Sequence, residues 1–263
     1  REQFGGPIER LPAVAELVTD MKILVEAGRA LAYETSRVCD HENNNLRVME
    51  FTPDLDKDEK KRRQQLSRAY KRINGMLTPM SKYFCSEMAC TVTNMAVQVL
   101  GGSGYMKDYA AERYLRDSRI TTIYEGTSQL QVVAAVRGVA SGSFANWVEP
   151  WEQKTYENAK LAELKEKLVA ARQQVAEAIV FVKSQNTAYL DLAGRPLVDS
   201  AMAIIIGHLF LSQGTACERK AKVARRYIER ELPKIRMNCE WILSGDMSPM
   251  EEYSVLAGPV PAA

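Results

Sequence analysis

Ile120-Thr121-Thr122-Ile123-Tyr124-Glu125-Gly126-Thr127-Ser128-Gln129-Leu130-Gln131 sets a single carboxylate among apolar residues, one step before a glycine, where a helical pattern begins. Thr127 or Ser128 can supply the hydroxyl that caps this helix, and Gln131 stands at cap-box spacing from Ser128. A carboxylate at such a junction is carried by backbone rather than by a mobile surface segment. If buried, its pKa would rise toward the range useful to a general base. The commoner use of a carboxylate at this position is to stabilise a helix N-terminus through the macrodipole. On residue chemistry alone, dipole partner and base both remain open.

Working outward, apolar residues recur at helical spacing through most of the chain. Leu11, Val14, Val18, Met21 and Val25 predict one long helix from about Leu11 to the low forties, ended by His41-Glu42-Asn43-Asn44-Asn45. Phe51 to Asp54 reads as a loop, and Asp56 or Asp58 as the start of the next helix. The charges from Lys57 to Arg63 read as a solvated helical face, with Leu66, Tyr70, Ile73 and Leu77 as its buried side. Pro79 is expected to break or kink this pattern. Phe84, Met88, Val92, Met95 and Val99 form the next stripe, with the methionines as core filling. It ends at Gly101-Gly102, and a short helix is expected around 110–116.

The helix after Thr127 is predicted to run to about Val139 and end near Gly142. Asn146 to Trp151 reads as a linker with aromatic anchors. Leu161, Leu164, Leu168, Ala171, Val175, Ile179 and Val182 predict another long helix. Ala203 through Ile228 reads as its partner, stopped by Pro233, with a last short helix over 234–243. No strand is expected. The fold class is all-α, an up-and-down helical bundle over residues 1–144 followed by a second helical extension over 145–263.

With 263 residues, 46% hydrophobic and 26% charged, the chain has an ordinary globular composition and length for two compact units. A net charge of +2 leaves no electrostatic footprint for nucleic acid. No apolar run reads as long enough to cross a bilayer; the best candidate, Ala201 to Leu211, is interrupted by Gly207 and His208. The five cysteines form no CxxC pair, and His41 and His208 are the only histidines, so no metal cluster is expected. A reducing cytoplasm fits this cysteine usage. His208 itself reads as a satisfied core histidine.

Three further stretches accompany the opening one: Arg1-Glu2-Gln3-Phe4-Gly5-Gly6-Pro7-Ile8, Gln98-Val99-Leu100-Gly101-Gly102-Ser103-Gly104-Tyr105, and Tyr114-Leu115-Arg116-Asp117-Ser118-Arg119-Ile120. In this order they resemble the C-terminal helical domain of the acyl-CoA dehydrogenases, over about the first 144 residues. The region after Trp147 resembles the extra helical extension of a larger subgroup, together with an insertion around Asn43 to Lys60. Because the chain opens at Arg1 inside a family motif, it is expected to be a fragment lacking the family's N-terminal helical and middle β domains.

The resemblance implies FAD-dependent α,β-dehydrogenation of an acyl-CoA thioester. Glu125 matches the family's catalytic base, and its backbone N–H would help polarise the thioester carbonyl. The flavin takes the hydride, so no second acid is needed. By motif position, Arg1, Gln3 and Phe4 would contact the FAD of a neighbouring subunit near the pyrophosphate, and Gln98 and Gly102 its adenosine end. Thr127 and Gln129 would lie near the FAD on the Glu125 side. For Gly101, Gly102 and Gly104, a helix C-cap and turn is compatible with that role.

Tyr124 reads as a packed neighbour, Arg116, Asp117 and Arg119 as a structural ion pair, and Arg137 as surface. The resemblance further implies an electron-transfer flavoprotein as acceptor, a homodimer or homotetramer, and a place in fatty acid β-oxidation. It implies that the fragment alone is inactive. Rival readings are an acyl-CoA oxidase, passing electrons to oxygen, and a non-catalytic helical oligomerisation module.

Overall fold

Pro12 stands at the first position of helix α1, where its missing N–H is no loss. From there α1 runs from Pro12 to Phe51. In the computed structural model, which describes residues 1–258, it packs antiparallel to α2, Lys57–Leu100. Its buried positions Ile23, Ala27, Ala30, Leu31, Glu34 and Val38 follow helical spacing. Asp56 caps α2, its carboxylate accepting from the backbone N–H groups of Asp58 and Glu59.

The polar cluster at 41–45 does not end α1. The His41 ring stacks on Tyr70 of α2 at 4.9 Å, and Asn45 Nδ2 donates back to the His41 carbonyl at 2.7 Å. Nor does Pro79 end α2. It removes the N–H that the Gly75 carbonyl would accept, but Met76, Leu77, Met80 and Tyr83 around it are buried and carry the helix through.

After α2 come α3 (Gly102–Tyr105), α4 (Ala111–Arg119) and α5 (Ser128–Ala140). The expected linker is instead helix α6, Ser143–Glu152, in which Trp147 and Val148 are buried and Pro150 is internal. Helix α7, Ala159–Ser184, buries the predicted stripe from Leu161 to Val182. It is followed by α8 (Thr187–Leu192), α9 (Gly194–Gly214) and α10 (Glu218–Ser244). The predicted partner helix is thus two helices, broken at 215–217, and Pro233 lies inside α10. Two short helices, α11 (Ser248–Glu251) and α12 (Tyr253–Leu256), close the described residues.

The fold is all-α, with one departure. Glu2–Gln3 (β1) and Gly6–Pro7 (β2) form a two-residue antiparallel hairpin. Its turn places Phe4 at φ 54° and Gly5 at φ 81°, the left-handed pair that suits a two-residue hairpin loop.

One hydrophobic cluster runs from Ile23 in α1 to Ile242 in α10. Its centre is α9, buried without interruption from Ser200 to Leu211 and packed against α1, α5, α7 and α10. By length and composition α9 could cross a membrane, which the sequence reading did not expect; 83% of its apolar window is buried inside the fold. Ion pairs fasten α10 to α1. Glu26 accepts from Arg219 at 2.5 Å and Lys220 at 2.7 Å, while Arg226 and Arg230 share Glu16 and Asp20. The Arg219 hydrogen bonds, with Lys220 and against burial, hold the Glu26 carboxyl down at about 2.

Candidate functional site

The chain leaves α4 through a 3-10 turn at Ile120–Thr122 and reaches two successive left-handed residues, Glu125 (φ 52°) and Gly126 (φ 93°). Thr127 then caps α5, its Oγ1 accepting from the Leu130 N–H at 3.3 Å. The cap is Thr127 rather than Ser128, whose hydroxyl is buried and unpartnered. Gln131 does not complete a box with Ser128. Its Nε2 donates to the Glu125 carbonyl at 3.2 Å. The φ of Gly126 favours glycine there, and a Cβ, 2.7 Å from that nitrogen, would push the Gln131 side chain off the Glu125 carbonyl.

Lys82 of α2 completes the arrangement. Its Nζ donates to the Thr121 carbonyl at 2.5 Å and the Gly126 carbonyl at 3.0 Å, and lies 5.3 Å from the centre of the Tyr124 ring. Tyr124 is therefore half-exposed beneath a cation rather than simply packed. The Glu125 side chain is exposed, so burial within this chain is not what prepares it. It projects from a fastened turn beside a helix N-terminus, where the macrodipole favours an anion. Ile120, Ile123, Tyr124 and Leu130 leave about half or more of their surface open around it, an apolar exposure of the kind found at binding surfaces.

A second group forms at the far end of α2. Arg1 Nη1 donates to the Leu100 carbonyl at 2.9 Å, joining the hairpin to the point where Gly101 (φ 61°) turns the chain. Arg1 is thus tied to the turn that follows Gln98 and precedes Gly102, with Gln3 and Phe4 on the same hairpin and Phe4 87% exposed at its tip. Gln98, Gly102, Thr127 and Gln129 are also exposed. Among the described residues, no hydrogen bond or ion pair links this group to the Glu125 turn.

The expected Arg116, Asp117 and Arg119 pairing is not formed. Arg116 pairs with Glu112 at 3.7 Å, and Arg119 donates to Thr122. His208 is fully buried in α9 but not satisfied, since neither ring nitrogen has a partner; burial pushes it down to about 4. A cavity of about 500 Å³ lies between α1, α2, α9 and α10. None of the candidate residues lines it. On its wall Asp199 is pushed up to about 6 by burial, against the hydrogen bond from Tyr83 and the charge of Arg195.

Sequence reasoning missed Lys82, the Gln131 contact and the cation over Tyr124. Lys82 lies 44 positions before Gly126, and no periodicity or cap pattern signals a bond at that separation.

Residues 59–140 match the family described as acyl-CoA dehydrogenase, C-terminal domain, and residues 140–244 match acyl-CoA dehydrogenase C terminal. The chain belongs to the acyl-CoA dehydrogenase family. It is 35% identical over 139 residues to the probable acyl-CoA dehydrogenase FadE25 of Mycobacterium tuberculosis, a match covering 53% of this chain and 28% of that protein. The chain thus spans little more than a quarter of this curated relative.

Among solved structures, Caenorhabditis elegans ACDH-11 in complex with C11-CoA superposes with a TM-score of 0.69 at 21% identity, over 87% of this chain and 37% of that one. The acyl-CoA dehydrogenase complexed with FAD from Bacillus anthracis gives 0.67 at 20% identity, over 98% of this chain and 45% of that one. At these identities the likeness is one of fold, and it extends through the helices after residue 144.

Proposed function

We propose that this chain carries the base and part of the flavin-binding surface of an FAD-dependent acyl-CoA dehydrogenase. The observation that carries this reading is the Glu125 turn, an exposed carboxylate on two left-handed residues fastened from α2 and α5. In the proposed reaction the Glu125 carboxylate takes the α-proton of an acyl-CoA thioester as the α-C–H bond breaks. The Glu125 backbone N–H donates to the thioester carbonyl, where negative charge develops. FAD, when bound, supplies the acceptor for the β-hydride.

The donor set at the other end of α2 suits a phosphate-bearing flavin. Arg1 uses Nη1 on Leu100 while its side chain stays exposed, and a Cβ on Gly102 would meet nothing within 4 Å, leaving room for close approach. Arg1, Gln3, Phe4, Gln98 and Gly102 are assigned to the FAD of a neighbouring subunit, and Thr127 and Gln129 to the FAD beside Glu125. This reading includes a homodimer or homotetramer, an electron-transfer flavoprotein as acceptor, a cytoplasmic location and a role in fatty acid β-oxidation. Residues 1–144 form the dehydrogenase C-terminal domain and 145–263 its helical extension. With every candidate residue exposed, the isolated chain is expected to turn over no acyl-CoA and to hold FAD weakly.

Replacing Glu125 with Gln in the full-length enzyme tests the assignment. The carboxamide keeps the shape and removes the base, so dehydrogenation should fall by roughly 10²-fold or more with flavin retained. Unchanged turnover would exclude Glu125 as the base.

A further inference from the structure

We propose that Lys82 is a positioning residue for Glu125, its ammonium holding the turn that aims the carboxylate. The inference rests on the reading of Glu125 as base. A non-glycine residue in the left-handed region costs roughly 1 kcal/mol or more and persists where its surroundings over-determine it. Glu125 is one of two such residues among those described, the other being Phe4 in the hairpin turn.

The surroundings of Glu125 supply that determination from two helices. Gln131 of α5 donates to the Glu125 carbonyl, and Lys82 of α2 to the Gly126 carbonyl, so the two peptide planes that follow the Glu125 Cα are each fixed by a side chain. Lys82 also donates to the Thr121 carbonyl, so one ammonium closes the loop from its entry to its exit.

Lys82 is suited to this role. It is flanked on α2 by the buried Met80 and Tyr83, so its stem starts from core rather than from a mobile surface. It forms no ion pair among the described residues. Its charge is directed at backbone carbonyls and the Tyr124 ring, where a charge-assisted donor outperforms a neutral one. Gln131 and Lys82 together fix the consecutive planes beside the proposed base, as a reaction sensitive to displacements of about 1 Å requires.

The test uses the full-length flavoenzyme with a panel of saturated acyl-CoAs and an artificial electron acceptor. Lys82→Met should lower kcat about tenfold or more, with KM changed by less than about threefold and flavin content kept. Lys82→Arg, which can still donate to two carbonyls, should recover most of that loss. Lys82→Gln keeps a shorter, uncharged donor and serves where Lys82→Met does not accumulate as folded holoenzyme; an intermediate kcat is expected.

Parental kcat in Lys82→Met or Lys82→Gln, with Glu125→Gln inactive, would overturn the positioning role and leave the base in place. Loss in Lys82→Met without recovery in Lys82→Arg would also overturn it, leaving Lys82 a staple of the fold. Full turnover in Glu125→Gln would instead remove the base assignment, and the role of Lys82 with it.

Discussion

Trp147 Nε1 donates to Glu34 Oε1 at 2.8 Å, joining α6 to α1 across 113 positions of the chain. Both residues are buried, and Glu34 takes its other bonds from Arg37 at 2.7 Å. Replacing Trp147 with Phe keeps an aromatic ring but leaves a buried carboxylate one donor short. Stability should fall by about 1.5–3 kcal/mol, the range for a hydrogen bond to a charged group. Trp151, stacked on Trp147 and only half-buried, should cost less as Trp151→Phe. Urea denaturation monitored by far-UV circular dichroism reads both.

His208 and Asp199, both on α9, give opposite pH dependences. Burial pushes His208 from 6.5 down to about 4, so between those values the unfolded chain binds the extra proton and stability falls as pH falls. Burial pushes Asp199 from 3.8 up to about 6, so there the folded chain binds the extra proton and stability rises as pH falls. The two slopes largely cancel between pH 4 and 6. His208→Leu lacks the histidine slope, so its stability relative to the parent should grow by about 1 kcal/mol per pH unit as pH is lowered through that window. At neutral pH the same variant should gain about 1 kcal/mol, since an unpartnered buried imidazole is replaced by an apolar group of similar size. Denaturant midpoints across pH 4 to 7 decide it; a parallel profile for parent and variant would refute the assignment.

The Glu125 turn should trade stability against activity. Asn tolerates the left-handed region better than Glu, so Glu125→Asn should raise stability by about 0.5–1 kcal/mol while abolishing turnover of the full-length enzyme. Gly126→Ala should lower stability by about 1–3 kcal/mol, because alanine resists φ 93° and its Cβ would displace the Gln131 amide from the Glu125 carbonyl. Thermal melts and turnover measured on the same preparations check both.

Much of this architecture was legible in residue spacing. The stripe from Leu161 to Val182 is a local pattern, buried as expected but for half-buried Ile179, and the caps at Asp56 and Thr127 are each one of two neighbouring residues the sequence offered. What escaped was tertiary. Pro79, Pro150 and Pro233 each remove one backbone bond, yet buried neighbours along α2, α6 and α10 carry those helices through. The 41–45 cluster reads as a helix end until Tyr70 stacks on His41. The hairpin at Phe4 needs a left-handed phenylalanine, which no propensity favours. At the site, the motif around Glu125 is contiguous and visible, whereas Lys82 reaches it from mid-α2 with no local signal.

From Ser200 to Leu211, helix α9 has no wet side. Cutting the chain after residue 144 would strip it from α1 and α5 and expose the faces it now covers. The surface so uncovered would be greasy and prone to self-association. A boundary that sequence patterns suggest is therefore a poor place for scissors: the part bearing Glu125 borrows its solidity from the helices beyond it.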